Sequence, residues 1–254
     1  MKIAFVETPT DMLPNSSFWT DMLELAAAAN ADALLLNEMP VGKWLAGNRS
    51  FDERMAAESI ADHDQVLKLF DNAPVQLLSS RPVKSSGKLI NTAFIYNKGQ
   101  YRSAHQKFHL PSEKGFFETE WFERGNGSFS PITADGISFG FLICTELMFT
   151  EYARQYAKEG AQVIVVPRAT GGNIESWKTA ASMAAIVSGC YVISSNRSGV
   201  SDTGVSFNGT GFAFGPDGRL ISETTSEKPI SAVTIDIDFV LYQKKQYPCY
   251  ITLV

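Results

Sequence analysis

The chain is short of the residues that build most metal centres and covalent frameworks: it has three cysteines and three histidines in 254 residues. Cys144, Cys190 and Cys249 stand far apart and are odd in number. With no Cys-x-x-Cys pair there is neither a disulfide framework nor a zinc ribbon, and such usage suits a reducing, cytoplasmic compartment. His63, His105 and His109 do not fall into a His-Glu-x-x-His pattern, so no metal and no other cofactor is expected. No apolar run approaches the ~20 residues of a membrane-spanning helix, and no membrane association is expected. A basic excess is also missing: 22 Lys and Arg face 27 Asp and Glu, a net charge of -5, which gives no reason to expect nucleic acid. The first residues, Met1 to Glu7, lack the long apolar stretch and small-residue cleavage site of a secretory signal and resemble a strand. No low-complexity segment or linker divides the chain, and 44% hydrophobic residues suffice for one large core, so residues 1–254 are expected to form one domain.

Strand-like and helix-like stretches alternate. Strands are expected at 2–6, 33–36, 75–79, 89–96 and 100–106. Asn97-Lys98-Gly99 joins the last two as a tight hairpin. Asn15, Ser16 and Ser17 offer caps for an amphipathic helix through Ala29. Ser50-x-x-Glu53 has the form of a capping box opening a helical region to Phe70, broken near Asp62. The second half repeats the order: strands at 137–143, 163–166 and 191–196, helices at 149–158 and 175–188, a hairpin at 211–224 around Pro216-Asp217-Gly218, and a last strand at 232–236. Two βαβαβ halves followed by hairpins predict an α/β fold in which two packed sheets carry helices on their outer faces.

Ligands gather at the carboxyl ends of strands in such folds. Glu38, Lys107, Cys144 and Arg168 each fall at or just past a predicted strand end. An isolated cysteine in an apolar run is most often a small buried hydrophobe. A lone Glu38 or Lys107 would be an ordinary strand-end charge. Together they are a thiol, a carboxylate and an amine, the parts of covalent amide hydrolysis without a metal. A free thiol is mostly protonated at neutral pH and needs a nearby base or cation. Cys144 with His105 or His109 is the alternative pairing. Arg168 suits a substrate carboxylate through its bidentate fork, or an ion pair with Glu118, Glu146 or Glu151. Gly171-Gly172-Asn173 before a helix suits either an anion or a plain loop.

Several blocks, in order, resemble the nitrilase superfamily of carbon–nitrogen hydrolases. They are Leu34-Leu35-Leu36-Asn37-Glu38-Met39-Pro40, Tyr101-Arg102-x-x-His105-x-Lys107-x-His109-Leu110, the segment from Gly115 to Gly125 containing Glu118, and Cys144-Thr145-Glu146-x-x-Phe149-x-Glu151-x-x-Arg154. Ser195-Asn196-Arg197-x-Gly199 and Phe207-x-Gly209-x-Gly211 continue the pattern. The resemblance implies a four-layer α-β-β-α sandwich of two mixed β-sheets flanked by helices. It implies Glu38 as base, Lys107 as oxyanion stabiliser, Cys144 as nucleophile and Glu118 as a second glutamate, with Thr145 bordering the substrate pocket. The implied activity is hydrolysis of a small amide or N-carbamoyl amine through an acyl-thioester. Nitrile hydrolysis, or a non-catalytic scaffold of the same fold, is the alternative. The Gly115–Gly125 segment is similar to amidase and N-carbamoyl-amine hydrolase branches. Two stretches depart from the family pattern: Thr145 stands where Trp, Tyr or Asn is common, and Pro167-Arg168-Ala169-Thr170 replaces a neutral loop. The helix with Phe149, Tyr152, Ala153 and Tyr156 on one face is the family's dimer helix. A homodimer or higher homo-oligomer is therefore expected, with the apolar tail at about 238–254 packing on its own chain or on a partner subunit.

Overall fold

The structure is a computed structural model and describes residues 1–251. The first half runs β1 (Lys2–Pro9), α1 (Phe18–Ala28), β2 (Ala33–Leu35), α2 (Glu53–Leu69), β3 (Gln76–Lys84), β4 (Leu89–Asn97) and β5 (Gln100–Gln106). A small hairpin, β6 (Ser112–Glu113) and β7 (Phe116–Phe117), and the single turn α3 (Glu118–Trp121) lead into the second half. There follow β8 (Ile132–Ala134), β9 (Ile137–Phe141), α4 (Thr150–Lys158), β10 (Val163–Arg168), α5 (Ile174–Ser188) and β11 (Tyr191–Val200). The chain closes with β12 (Ser206–Asn208), β13 (Phe212–Phe214), β14 (Leu220–Glu223), β15 (Ile230–Thr234) and α6 (Ile237–Gln243).

One sheet has the order β5-β4-β3-β2-β1, with β15 antiparallel on the far side of β1. The other has β8-β9-β10-β11, extended by β13 and β14. Both are mixed: β1, β2 and β3 are parallel, as are β9, β10 and β11, while the hairpin strands are antiparallel. The two sheets are joined. β1 pairs with β2 and β15 over its first residues, then Glu7, Thr8 and Pro9 pair with Asn196, Arg197 and Ser198 of β11.

Strand alternation builds the layers, because successive side chains point to opposite faces. Phe5, Leu35 and Leu78 lie in register on one face and meet Phe139, Val165 and Ile193 of the second sheet in a central core. Ala4, Leu34 and Leu77 point the other way, against Trp19, Met22 and Ala26 of α1 and Val66 and Leu67 of α2. Ile164 and Val192 similarly meet Ala153 and Tyr156 of α4 and Ala181 and Ala184 of α5. The result is the expected α-β-β-α sandwich. The close fit on the second outer face explains Gly140, where a Cβ would run into the Tyr156 ring.

The cap of α2 is Asp52, whose carboxylate accepts from Met55 N at 2.9 Å, not Ser50. Asp52 is the extended residue directly before the helix, so its oxygen reaches the free N–H groups of the first turn. The helix continues through Asp62 without a break. β11 runs on to Val200 because residues beyond Asn196 find partners in β1 and β12. In the β4–β5 hairpin Lys98 and Gly99 both have positive φ, 50° and 76°, as a two-residue turn matched to strand twist requires. Helix α6, capped by Asp236, forms at the start of the segment expected to be an apolar tail. Beyond it the tail folds back on its own chain: Lys244 Nζ donates to Ala157 O at 3.2 Å, and Cys249 Sγ lies 3.1 Å from Ile186 O. Tyr247, Tyr250 and Ile251 stay exposed. The last three residues of the expected tail, 252–254, lie outside the described residues.

Candidate active site

The carboxyl ends of β2, β5, β9 and β10 deliver four of the six residues singled out from sequence. Glu38 follows β2 by three residues, Lys107 follows β5 directly, Cys144 opens a 3-10 turn (Cys144–Met148) after β9, and Arg168 ends β10. Glu118 begins α3, and Thr145 follows the cysteine. Lys107 Nζ lies 2.7 Å from Glu38 Oε1 and 2.8 Å from Glu118 Oε1. Asn91 Nδ2 donates to the same Glu38 oxygen at 2.7 Å. Glu38, Lys107 and Glu118 are all buried.

Electrostatics follow from one ammonium facing two carboxylates out of water. Burial alone would lower the pKa of Lys107, but Glu118 and then Glu38 override it and hold the ammonium well above its ordinary value. Burial pushes Glu118 up to about 8, with Lys107 pulling against the shift and Glu38 adding to it. Burial also pushes the Cys144 thiol up; the Glu38 charge adds to this, while Lys107 pulls it down. A thiol so shifted favours its protonated form, and acting as a nucleophile would require a base to remove the proton.

Cys144 sits at φ 54°, a left-handed conformation uncommon for a residue with a side chain. It turns the chain sharply from strand into turn. Together with Thr145 and Glu118 it lines a cavity of 680 Å³. The N–H groups that open the following turn have no intrahelical acceptor, the usual situation at a helix start.

Glu146 is not an ion-pair partner of Arg168. It is instead a buried junction. Its Oε2 accepts from Ile143 N and lies 2.8 Å from His105 Nε2, and its Oε1 accepts from Phe108 N at 2.7 Å and His109 N at 3.4 Å. Burial would raise its pKa, yet these hydrogen bonds, His105 first, bring it below the ordinary value. One carboxylate thus ties the residue before Cys144 to the residue after Lys107. The available signal was an acidic residue two positions past the cysteine in an otherwise apolar run.

Both candidate histidines are engaged elsewhere. His105 Nδ1 faces Ser128 O at 3.0 Å and its Nε2 faces Glu146, while His109 Nε2 meets Tyr152 Oη at 2.7 Å and its ring stacks on Phe149. Neither is placed to activate a thiol. Arg168 is 0% exposed and lies behind the cavity wall formed by Ala169 and Thr170. It meets none of Glu118, Glu146 and Glu151. Burial lowers it to about 9, opposed by Cys144 and Glu7. Gly171 has a backbone reason: a Cβ there would run into the Ser206 carbonyl. Among the described residues no group of three or more His, Cys, Asp or Glu side chains is arranged to hold a metal ion.

The family profile described as carbon–nitrogen hydrolase matches residues 2–247. The chain is 29% identical over 210 residues to an omega-amidase NIT2 of Xenopus tropicalis, covering 78% of this chain and 74% of that protein. A carbon–nitrogen hydrolase from Helicobacter pylori G27 superposes with a TM-score of 0.88 at 20% identity, covering 98% of this chain and 94% of that one. An amidase from Nesterenkonia sp. AN1, solved with acrylamide added to its active-site cysteine, gives 0.80 at 22% identity over 95% of each chain. These two structures share the fold. The chain belongs to the carbon–nitrogen hydrolase family, and its activity is hydrolysis of C–N bonds other than peptide bonds.

Proposed function

We propose that the protein is an amidase-like hydrolase that cleaves a small amide or N-carbamoyl amine through a thioester on Cys144, as one domain spanning residues 1–254. The observation that carries this reading is the buried Glu38–Lys107–Glu118 cluster beside a strained cysteine on a cavity wall. The amidase names of the relatives support amides over nitriles.

In this mechanism Glu38 takes the thiol proton as Cys144 Sγ bonds to the carbonyl carbon. The carbonyl electron pair moves to oxygen, where the Lys107 ammonium and the Thr145 backbone N–H meet the developing charge. The proton held by Glu38 passes to the nitrogen, the C–N bond breaks, and ammonia or an amine leaves. Water then attacks the thioester while Glu38 takes one of its protons. The C–S bond breaks, the acid departs and the thiol regains its proton. Glu118, pushed up to about 8 by burial, is the second carboxyl group that holds the Lys107 ammonium in place.

The test is ammonia release from a panel of small amides and carbamoyl-amines. Wild-type protein should release it, and Cys144→Ala should lose at least ~10³-fold in rate and form no acyl adduct by intact mass. Turnover by Cys144→Ala at the wild-type rate rules the mechanism out. Silence of the wild type across the panel would favour a scaffold role. The three cysteines are free, which suits a cytoplasmic location. The half-exposed residues of α4 and the exposed Tyr247, Tyr250 and Ile251 support a homodimer, to be checked by sedimentation.

A further inference from the structure

Asn91 is a polar residue in an apolar row. A strand turns successive side chains to opposite faces, so on β4 Asn91 shares its face with Ala93 and Ile95, which belong to the central core. It is 0% exposed. A buried amide costs free energy unless its hydrogen bonds are made, yet among the described residues its Oδ1 has no partner. Its Nδ2 donates to Glu38 Oε1 at 2.7 Å. A carboxylate only accepts, so the amide must turn its NH2 group toward Glu38. An apolar side chain would fill the row without stranding an oxygen, and what the amide adds is this one contact.

The backbone of Asn91 makes a second link. Thr92 pairs with Gln106 at the end of the β4–β5 ladder, and one step further the Lys107 N–H donates to Asn91 O at 2.9 Å. One residue thus holds the backbone of the amine and the side chain of the carboxylate. The backbone of Glu38 is fixed independently: its N–H donates to Arg168 O at 3.2 Å, and its C=O accepts from Asn37 Nδ2 at 3.0 Å. Its side chain depends on two donors, Lys107 Nζ and Asn91 Nδ2, and both sit on Oε1. The Lys107 ammonium is shared with Glu118 and, during the reaction, with the charge developing on the substrate oxygen. Asn91 does not line the cavity and has no such second task. Glu38 Oε2 is buried and has no hydrogen-bond partner among the described residues, which leaves it free to accept a proton.

We propose that Asn91 is a positioning residue for Glu38: by occupying Oε1 it fixes the carboxylate while Lys107 serves the substrate, and so keeps Oε2 as the oxygen that takes the Cys144 proton. This rests on the amidase reading, in which Glu38 is the base, but it is tested without turnover.

The experiment follows alkylation of Cys144 by iodoacetamide, read on the Cys144 peptide by mass spectrometry. The Sγ–carbon bond forms, iodide leaves and Glu38 takes the thiol proton. Asn91→Leu, close in size to the amide, and Asn91→Ala are each made in the wild type and in Glu38→Gln, and melting curves identify the folded variants. Glu38→Gln alone should slow alkylation by at least ~10²-fold. In the wild-type background the Asn91 variants should slow it by at least about tenfold, as loss of a hydrogen bond to a charged group and misplacement of a base allow. In Glu38→Gln they should change it by no more than about twofold, because no base remains to be positioned. Equal slowing in both backgrounds would make Asn91 a purely structural residue and overturn the proposal, as would an unchanged rate in the wild-type background. Failure of the amidase reading looks different: Glu38→Gln would itself alkylate at the wild-type rate, which removes the base and the proposal with it.

Discussion

Around Lys107 one ammonium faces two buried carboxylates, whereas around Arg168, behind the wall of the same cavity, one guanidinium faces none. The first region resolves its surplus negative charge internally. Burial pushes Glu118 up to about 8, toward its neutral form, while Lys107 pulls against the shift. The second cannot do the same, because an arginine rarely gives up its proton. Burial brings Arg168 only to about 9. Arg168 is instead held by neutral acceptors, Ser194, Thr170 and the Thr210 carbonyl, with the buried Glu7 carboxylate opposing the effect of burial. The two regions thus bury a cation in different ways, one among carboxylates and one among neutral acceptors and aromatic faces.

The comparison breaks most sharply at Lys107. Lys107→Met should reduce amide turnover by at least ~10³-fold and lower stability by about 3–5 kcal/mol, since it removes the cation that both buried glutamates hold. Denaturant melts alongside ammonia assays would read both. Arg168→Met should cost stability less than Lys107→Met by at least about 2 kcal/mol, because it removes a charge that has no carboxylate partner to strand. Equal losses in the two variants would mean that Arg168 is as well compensated as Lys107.

A smaller effect concerns Glu118. Its pKa is raised in the fold, from 4.5 to about 8, so the folded state binds a proton that the unfolded chain releases. The stability this contributes is complete below about 4.5 and lost as pH rises to about 8. Melting temperature should therefore fall over that window in the wild type, and Glu118→Gln should flatten that part of the curve. An unchanged slope in the variant would assign the pH dependence to another group. Glu146→Ala should change KM less than kcat: the carboxylate joins the Cys144 turn to the Lys107 segment and does not line the cavity. Its loss should lower kcat by about 10²-fold if it positions reacting groups, and an effect confined to KM would refute that role.

Much of the fold was legible because apolar strands such as Ala33–Leu35 and Val163–Arg168 are short, continuous and bounded by polar or glycine-containing turns. Glu38, Lys107 and Cys144 were legible because each stands at such a strand's end, and the family blocks supplied Glu118. Three things were not legible. The joining of the sheets through Glu7–Pro9 depends on pairing between residues nearly two hundred positions apart. The junction at Glu146 depends on burial, since an acidic residue near a helix start otherwise resembles a solvated first-turn charge. Arg168 had two sequence readings, direct contact with substrate or an ion pair. It has no ion-pair partner among the described residues and sits one layer behind the cavity, because β10 aims its side chain at Ser194 of the neighbouring strand.

The division of the chain into two halves has a consequence for biosynthesis. Glu38 and Lys107 belong to the first half, and Cys144 arrives only with the second. β11, which ties the second sheet to β1, follows some fifty residues later still. A growing chain thus carries Glu38 and Lys107 long before Cys144 is made, and the thiol reaches its place in the site only when the halves close on each other. The proposed active site is thus complete only when the second half has been made and β11 has paired with β1.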